Sequence, residues 1–301
     1  MDGQAVAAMT VLCLVWSLQQ VGLKATAQDV SPILQIALRS GVAALLVGIL
    51  LIVRKDSLAQ ALAAWRPGIA AGCLFALEYV LLGAGLRLTS SAHAIVFLYT
   101  GPLFAALGLH MKLPGERLGP VQWLGVGLAF AGIVAAFIPG ASSRDAGAAS
   151  ALLGDFLCLA AGTAWGATTL VIRCSSLSSA PAAHTLLYQL VAGCVVLLAA
   201  AMLLGQLSFN ATPLALANLV FQTLIVSFAS FLAWFHLLRR YLASRLGILS
   251  FMTPLFGVLL GAWLLDERIT LSFVIGACLV LGGIMLVSAP VSMAVWKRKT
   301  A

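Results

Sequence analysis

Charge is scarce in this sequence: Lys, Arg, Asp and Glu together make up 9% of its 301 residues. A soluble fold needs roughly 25% to cover its surface, so a water-covered exterior is excluded. Disulfide and metal patterns are missing as well. The six cysteines (Cys13, Cys73, Cys158, Cys174, Cys194 and Cys278) stand singly in apolar runs with no C-x-x-C spacing. That pattern points to packed free thiols rather than disulfides or metal ligands. No His/Cys/Asp set has metal-ligand spacing, so no metal and no cofactor is expected. There is no GxxxxGK[ST] phosphate loop, so energy would come from gradients rather than from a nucleotide held by such a loop. Ser, His and Asp are too scattered to suggest the nucleophile and base of an intramembrane enzyme.

What is present is apolar. Hydrophobic residues make up 62% of the chain and the mean hydropathy is +1.09, so the reading is an integral membrane protein. About 20 apolar residues cross a bilayer as a helix. Ten runs qualify: 5–23, 32–53, 67–87, 91–111, 120–138, 151–172, 183–204, 213–237, 244–265 and 270–290. Turn and charge signals divide them, such as Asp29-Val30-Ser31-Pro32 and Arg54-Lys55-Asp56. The first run has no basic segment before it and no cleavage site after it, and is read as a retained helix.

The net charge is +8, and in a membrane protein such an excess gathers in cytoplasmic loops rather than on nucleic acid. With the N-terminus inside, cytoplasmic segments hold Arg54, Lys55, Arg66, Lys112, Arg117, Arg173, Arg239, Arg240, Arg245, Lys297, Arg298 and Lys299. External segments hold only Lys24, Arg87, Arg144 and Arg268. Both termini are therefore expected in the cytoplasm.

The chain is also a duplication. Residues 89–133 align with 241–284 through a single one-residue gap. Pro102-Leu103-Phe104 meets Pro254-Leu255-Phe256, Glu116-Arg117 meets Glu267-Arg268, Gly125 meets Gly276, and Ala131-Gly132-Ile133 meets Gly282-Gly283-Ile284. The register extends back to the start of each half, where Trp16 to Lys24 aligns without gaps to Trp165 to Arg173. Each copy has five spans, an odd number, so the second enters the membrane upside down. The expected organisation is a first repeat at 1–140, an external linker at 141–150, an inverted second repeat at 151–296 and a basic cytoplasmic tail at 297–301. An inverted repeat suits alternating access, because exchanging the two copies' conformations moves the opening of a central site from one side to the other.

Several residues could line such a site. Cys13, Trp16, Gln20 and Lys24, with Gln19 beside them, share one face of the first helix. Trp165, Thr168 and Thr169 form the matching stripe in the sixth, where a threonine can instead bond only to its own backbone. Glu78 reads as the only carboxylate well inside a helix; burying its charge costs several kcal/mol, so it must be protonated, paired or facing water. It is either a proton-coupling site, a contact for a substrate ammonium, or a structural partner of Arg39, the only basic residue well within a helix. Tyr79 lies beside it, and His93 is a second candidate for proton coupling. Pro102 and Pro254 each remove a backbone donor, with Tyr99 and Phe251 three residues before them, and are candidate hinges. Gly125, Gly127, Ala129 and Ala131, and Gly257 with Gly261, permit close helix contact. The Glu-Arg pairs should cap helices and lock short loops.

The paired five-helix repeats, Trp-Ser or Trp-Gly in the first helix of each, and Pro…Glu-Arg before a Gly-rich helix resemble the ten-helix drug/metabolite transporter superfamily of the EamA type. Within it the chain is most similar to bacterial YddG-like amino-acid exporters. The resemblance implies an all-α membrane fold of two inverted five-helix repeats around a central cavity, in a bacterial inner membrane. The cavity would be lined by the first, third and fourth helices of each half, with the fifth and tenth peripheral. It also implies export of a small metabolite, often an amino acid, from the cytoplasm; Glu78 and His93 make protons a candidate partner, and no nucleic acid is expected. Trp16, Tyr79, Tyr99, Trp165 and Trp234 with few fixed charges suit a neutral or aromatic zwitterion. An exporter of drugs is the alternative, and a channel or intramembrane enzyme is a more distant one.

Overall fold

The computed structural model describes residues 3–55, 63–114, 117–137, 148–240, 249–250 and 252–288. The described residues form helices and no strand; the one β-bridge, Val30 to Phe209, is isolated. Among the described residues the helices fall into ten spans: α1 (Gly3–Ala25), α2 (Pro32–Val53), α3 (Trp65–Leu86), α4 (Ser91–Lys112), α5 (Pro120–Phe137), α6 (Ala148–Arg173), α7 (Ala182–Leu203), α8 (Pro213–Arg240), α9 (Met252–Leu265) and α10 (Leu271–Ser288). Seven of them are long and apolar enough to cross a bilayer, and α5, α9 and α10 are shorter apolar helices among the described residues. The linker at 141–147 and the tail at 297–301 lie outside the described residues, as do Glu116 and Phe251.

Capping explains where several spans begin. In lipid no water satisfies a free N–H, so the first turn needs side-chain acceptors. Ser31 accepts from Leu34 N before Pro32 opens α2. Thr212 accepts from Ala215 N before Pro213 opens α8, and Ser90 accepts from His93 N at the start of α4.

Two spans are irregular. α4 breaks at Tyr99-Thr100 and restarts at Gly101, with Pro102 in its first turn. This is the break that the proline predicts, since Pro102 cannot continue the ladder but suits a new helix start. α8 is π-helical from Phe221 to Ser230, a rare geometry that tends to occur at functional sites. Nothing in the sequence analysis anticipated it.

The halves do not form separate bundles. α1 packs on α9, α2 on α7, α3 on α6 and α7, α4 on α6 and α9, and α5 on α10, so each of these contacts joins one helix from each copy. α5 and α10 pack chiefly on each other at the periphery. A Cβ on Gly125 would lie 2.6 Å from the Gly283 carbonyl oxygen, and one on Gly132 would lie 2.7 Å from that of Gly276. Ala129 is fully buried in the same contact, whereas Gly127 meets nothing within 4 Å and is not part of it. Gly257 and Gly261 of α9 face Ile95 and Ser91 of α4. All six cysteines are free, but only Cys13 and Cys158 are buried; Cys73, Cys174 and Cys278 are exposed on the helix surfaces.

Candidate functional site

A buried polar cluster lies where α1, α2, α3 and α8 meet. Arg39 of α2 is 3% exposed. Its Nη1 donates to Gln222 Oε1 at 2.6 Å. With its amide oxygen turned toward the guanidinium, Gln19 accepts from Nη1 at 2.9 Å and from Nη2 at 3.2 Å. Gln222 Nε2 donates in turn to the Gln19 carbonyl at 2.9 Å. The guanidinium carbon lies 5.0 Å from the centre of the Tyr79 ring, a favourable placement for a cation over a π face. Glu78, next to Tyr79 on α3, is 6% exposed and within Coulombic reach of Arg39. Among the described residues the two do not close an ion pair within 4.0 Å. Tyr99 lies close enough to Tyr79 and Glu78 to interact electrostatically with both, and stands edge-on to Trp165 at 5.3 Å. One buried cation, one buried anion and an aromatic border can together hold a small molecule carrying both charges.

The π-helical stretch supplies one wall of this cluster. Gln222, Thr223, Ser227 and Ser230 are all buried on α8. Trp16 Nε1 donates to Ser230 Oγ at 3.0 Å, and Trp16 stands edge-on to Trp234 at 5.6 Å. Both tryptophans border an apolar plug of Met9, Leu12, Cys13 and Leu237 at the N-terminal end of α1. Gln20 is buried, and its Oε1 has no hydrogen-bond partner among the described residues. The expected α1 stripe therefore fans out over several partners. Cys13 and Ser17 reach α9, Trp16 reaches α8, Gln19 reaches Arg39, and Lys24 caps α3.

The matching stripe on α6 behaves differently. Thr168 Oγ1 donates to the Ala164 carbonyl and Thr169 Oγ1 to the Trp165 carbonyl, each one turn back on the same helix. Trp165 lies flat against the α4 break, where a Cβ on Gly101 would come within 2.5 Å of its ring. Gly162 and Gly166 of α6 let the broken backbone approach: a Cβ on Gly166 would sit 2.9 Å from the Gly101 carbonyl oxygen. At Pro254, in the other copy, side chains of α1 take that place. Ser17 Oγ donates to the Thr253 carbonyl at 2.6 Å, and Cys13 Sγ to the Leu249 carbonyl at 3.4 Å.

His93 lies in a second, separate cluster at the Lys24 end of the molecule. Its Nδ1 is 2.9 Å from Asp155 Oδ2, and its ring stacks on Phe273 of α10 at 4.0 Å and 8°. Asp155 Oδ1 accepts from Thr89 Oγ1. Lys24 Nζ donates to the Leu86 and Thr89 carbonyls at 2.5 and 2.6 Å, satisfying the C-terminal end of α3. The Glu267 carboxylate accepts from Ser91 N at 2.6 Å and Ala92 N at 3.0 Å, capping α4. Glu267 thus caps a helix as expected of the Glu-Arg pairs, but the helix belongs to the other copy. The same end is latched between α1–α2 and α7–α8. Asn218 Nδ2 donates to Thr26 Oγ1 and Gln35 Oε1 at 3.0 and 2.8 Å, and Thr212 Oγ1 to Asp29 Oδ2 at 2.8 Å.

Asp155 corrects the reading of Glu78 as the only carboxylate within a helix: it is 3% exposed in the second turn of α6. It was missed because the apolar run begins at 151, which leaves Asp155 near the surface, whereas the helix starts at Ala148. The polar face of α8 was legible as Gln222, Thr223, Ser227 and Ser230 inside an apolar run. The π geometry that gathers them was not.

The chain was compared with known proteins. The EamA-like transporter family matches it twice, over residues 4–138 and 152–289. It is 25% identical over 275 residues to the uncharacterized transporter YoaV of Bacillus subtilis (strain 168), covering 91% of this chain and 92% of that protein. It is 31% identical over 274 residues to the uncharacterized protein PA1977 of Pseudomonas aeruginosa, covering 90% and 88%. A solved crystal structure superposes with a TM-score of 0.65 at 20% identity, over 98% of this chain and all of that one, and this likeness speaks for the fold alone.

Proposed function

We propose, from the premise that the chain belongs to the EamA-like transporter family, that it is a secondary active exporter of amino acids with neutral or aromatic side chains. It works by alternating access between its two copies in a bacterial inner membrane, with both termini in the cytoplasm. The family makes it a membrane transporter of small molecules; the buried site supports the narrower substrate. The observation that carries it is a buried cation, Arg39, and a buried carboxyl, Glu78, within Coulombic reach of each other, with Gln19, Gln222 and Tyr79 on the guanidinium and Tyr99 and Trp165 alongside.

The Lys and Arg distribution puts the Lys24 end outside and the Met9 end inside. Uptake from the cytoplasm then requires the Met9–Leu237 plug to part, and release requires the Asp155–His93 and Glu267–α4 contacts to part. The α4 break at Pro102 and the matching Pro254 are the hinges for these movements: the first interrupts the α4 ladder, and at the second the proline has no backbone N–H to give. Protons are the coupling ion, taken up at Glu78 and His93. Trp16 and Trp234 belong to the inner gate, and Thr168 and Thr169 serve the packing of α6.

The test is counterflow. Proteoliposomes preloaded with unlabelled L-phenylalanine should take up labelled L-phenylalanine at least ten times faster than empty ones, because a carrier returns loaded and a channel shows no such trans-stimulation. If no amino acid gives trans-stimulated uptake, the reading fails.

A further inference from the structure

The partners of Arg39 leave one part of it unused. A guanidinium is a planar fork whose side-on edge, Nε with Nη2, matches both oxygens of a carboxylate. Gln222 and Gln19 occupy the Nη1 side and the end of the fork. Nε has no hydrogen-bond partner among the described residues, although Arg39 is 97% buried by the exposure above. Burying an unpaired donor of a charged group costs several kcal/mol. A third glutamine, Gln20, next to Gln19 on α1, is also buried with its Oε1 unpartnered among the described residues. Glu78 does not fill this edge, since it stays beyond ion-pair distance of Arg39. The two glutamines instead hold the guanidinium 5.0 Å from the centre of the Tyr79 ring, within hydrogen-bonding reach of the Tyr79 hydroxyl, with Nε left unpartnered.

We propose that the Nε–Nη2 edge of Arg39 is a carboxylate-docking site, and that Glu78 and the Gln20 side-chain oxygen receive the ammonium of the same ligand. This rests on the amino-acid exporter reading and deepens it. Arg39 sets the requirement for a free carboxylate, and Gln19, Gln222 and Tyr79 are positioning residues that hold it in place. A ligand lacking either charge leaves one buried partner uncompensated, which discriminates far more strongly than a missing methylene.

The full-length protein, purified in detergent, is heated with L-phenylalanine, L-phenylalaninamide or 3-phenylpropionate. L-phenylalanine should protect at concentrations at least tenfold below those of either analogue. Arg39→Gln should abolish the preference for the acid over the amide while retaining the preference over 3-phenylpropionate, and Glu78→Gln should do the reverse. Equal or absent protection by acid and amide in the native chain overturns the proposal, as does an Arg39→Gln protein that still prefers the acid. If Arg39→Gln fails to fold, the native acid-to-amide ratio decides, with Arg39→Lys expected to shrink that ratio because a point charge replaces the fork. Counterflow in liposomes separates the two claims. Exchange without acid-over-amide preference sinks the docking site alone, and preference without exchange sinks the exporter alone.

Discussion

Trp16 and Trp165 occupy equivalent positions in the first helix of each copy, yet the residues around them face different partners. On α1 the following residues are Ser17, which hydrogen-bonds α9, Gln19, which contacts Arg39, and Gln20, which is buried with its Oε1 unpartnered among the described residues. On α6 the equivalents are Gly166, Thr168 and Thr169, which close-pack on α4 or bond back to their own helix. The duplicated architecture remains, but Arg39, Glu78 and the two α1 glutamines all stand in the first copy. The second copy contributes an aromatic wall through Trp165 and a polar one through α8.

The sharpest way to break this comparison is at the Ser17/Gly166 pair. Gly166→Val should cost about 1–3 kcal/mol or more, because the new side chain meets the α4 backbone rather than a yielding side chain. The expected outcome is little folded protein by size-exclusion chromatography. Ser17→Ala removes one interhelical hydrogen bond, worth on the order of 1 kcal/mol in a membrane, and should leave the chromatogram unchanged with a small fall in Tm. Next in size is Glu78→Gln, which should lower export at least tenfold and alter its pH dependence in a liposome flux assay. An unchanged pH profile would reassign Glu78 to structure. Asp155→Asn comes third. It weakens the contact with His93 while keeping a group that can bond Thr89, so the Lys24 end should open more readily. A cysteine-reactive probe on an otherwise cysteine-free chain carrying Ser91→Cys should then label faster by about threefold, and an unchanged rate would remove Asp155 from the outer gate.

The spans were legible because apolar runs of bilayer length admit little else, and the α4 break because Pro102 leaves few alternatives. The glycine faces of α5, α9 and α10 were legible as small-residue spacing, although Gly127 shared the spacing and not the contact. Arg39 and Glu78 stood out as isolated charges in lipid-length runs. The partners of Arg39 did not, because one of them is Gln222, 183 residues away in the chain. Asp155 was hidden by a helix start a few residues earlier than the apolar run suggests. The threonines of α6 looked like a ligand-facing stripe because sequence periodicity reports a face and cannot say whether a hydroxyl turns back to its own carbonyl.

The central claim is that the first copy holds the ligand and the equivalent stripe of the second does not. Labelled L-phenylalanine counterflow should be measured side by side for Gln19→Ala with Gln20→Ala and for Thr168→Ala with Thr169→Ala, each normalised to folded protein. The account predicts that the first pair lowers exchange at least tenfold and that the second stays within twofold of the native rate. Equal losses in both, or a greater loss in the threonine pair, would contradict it.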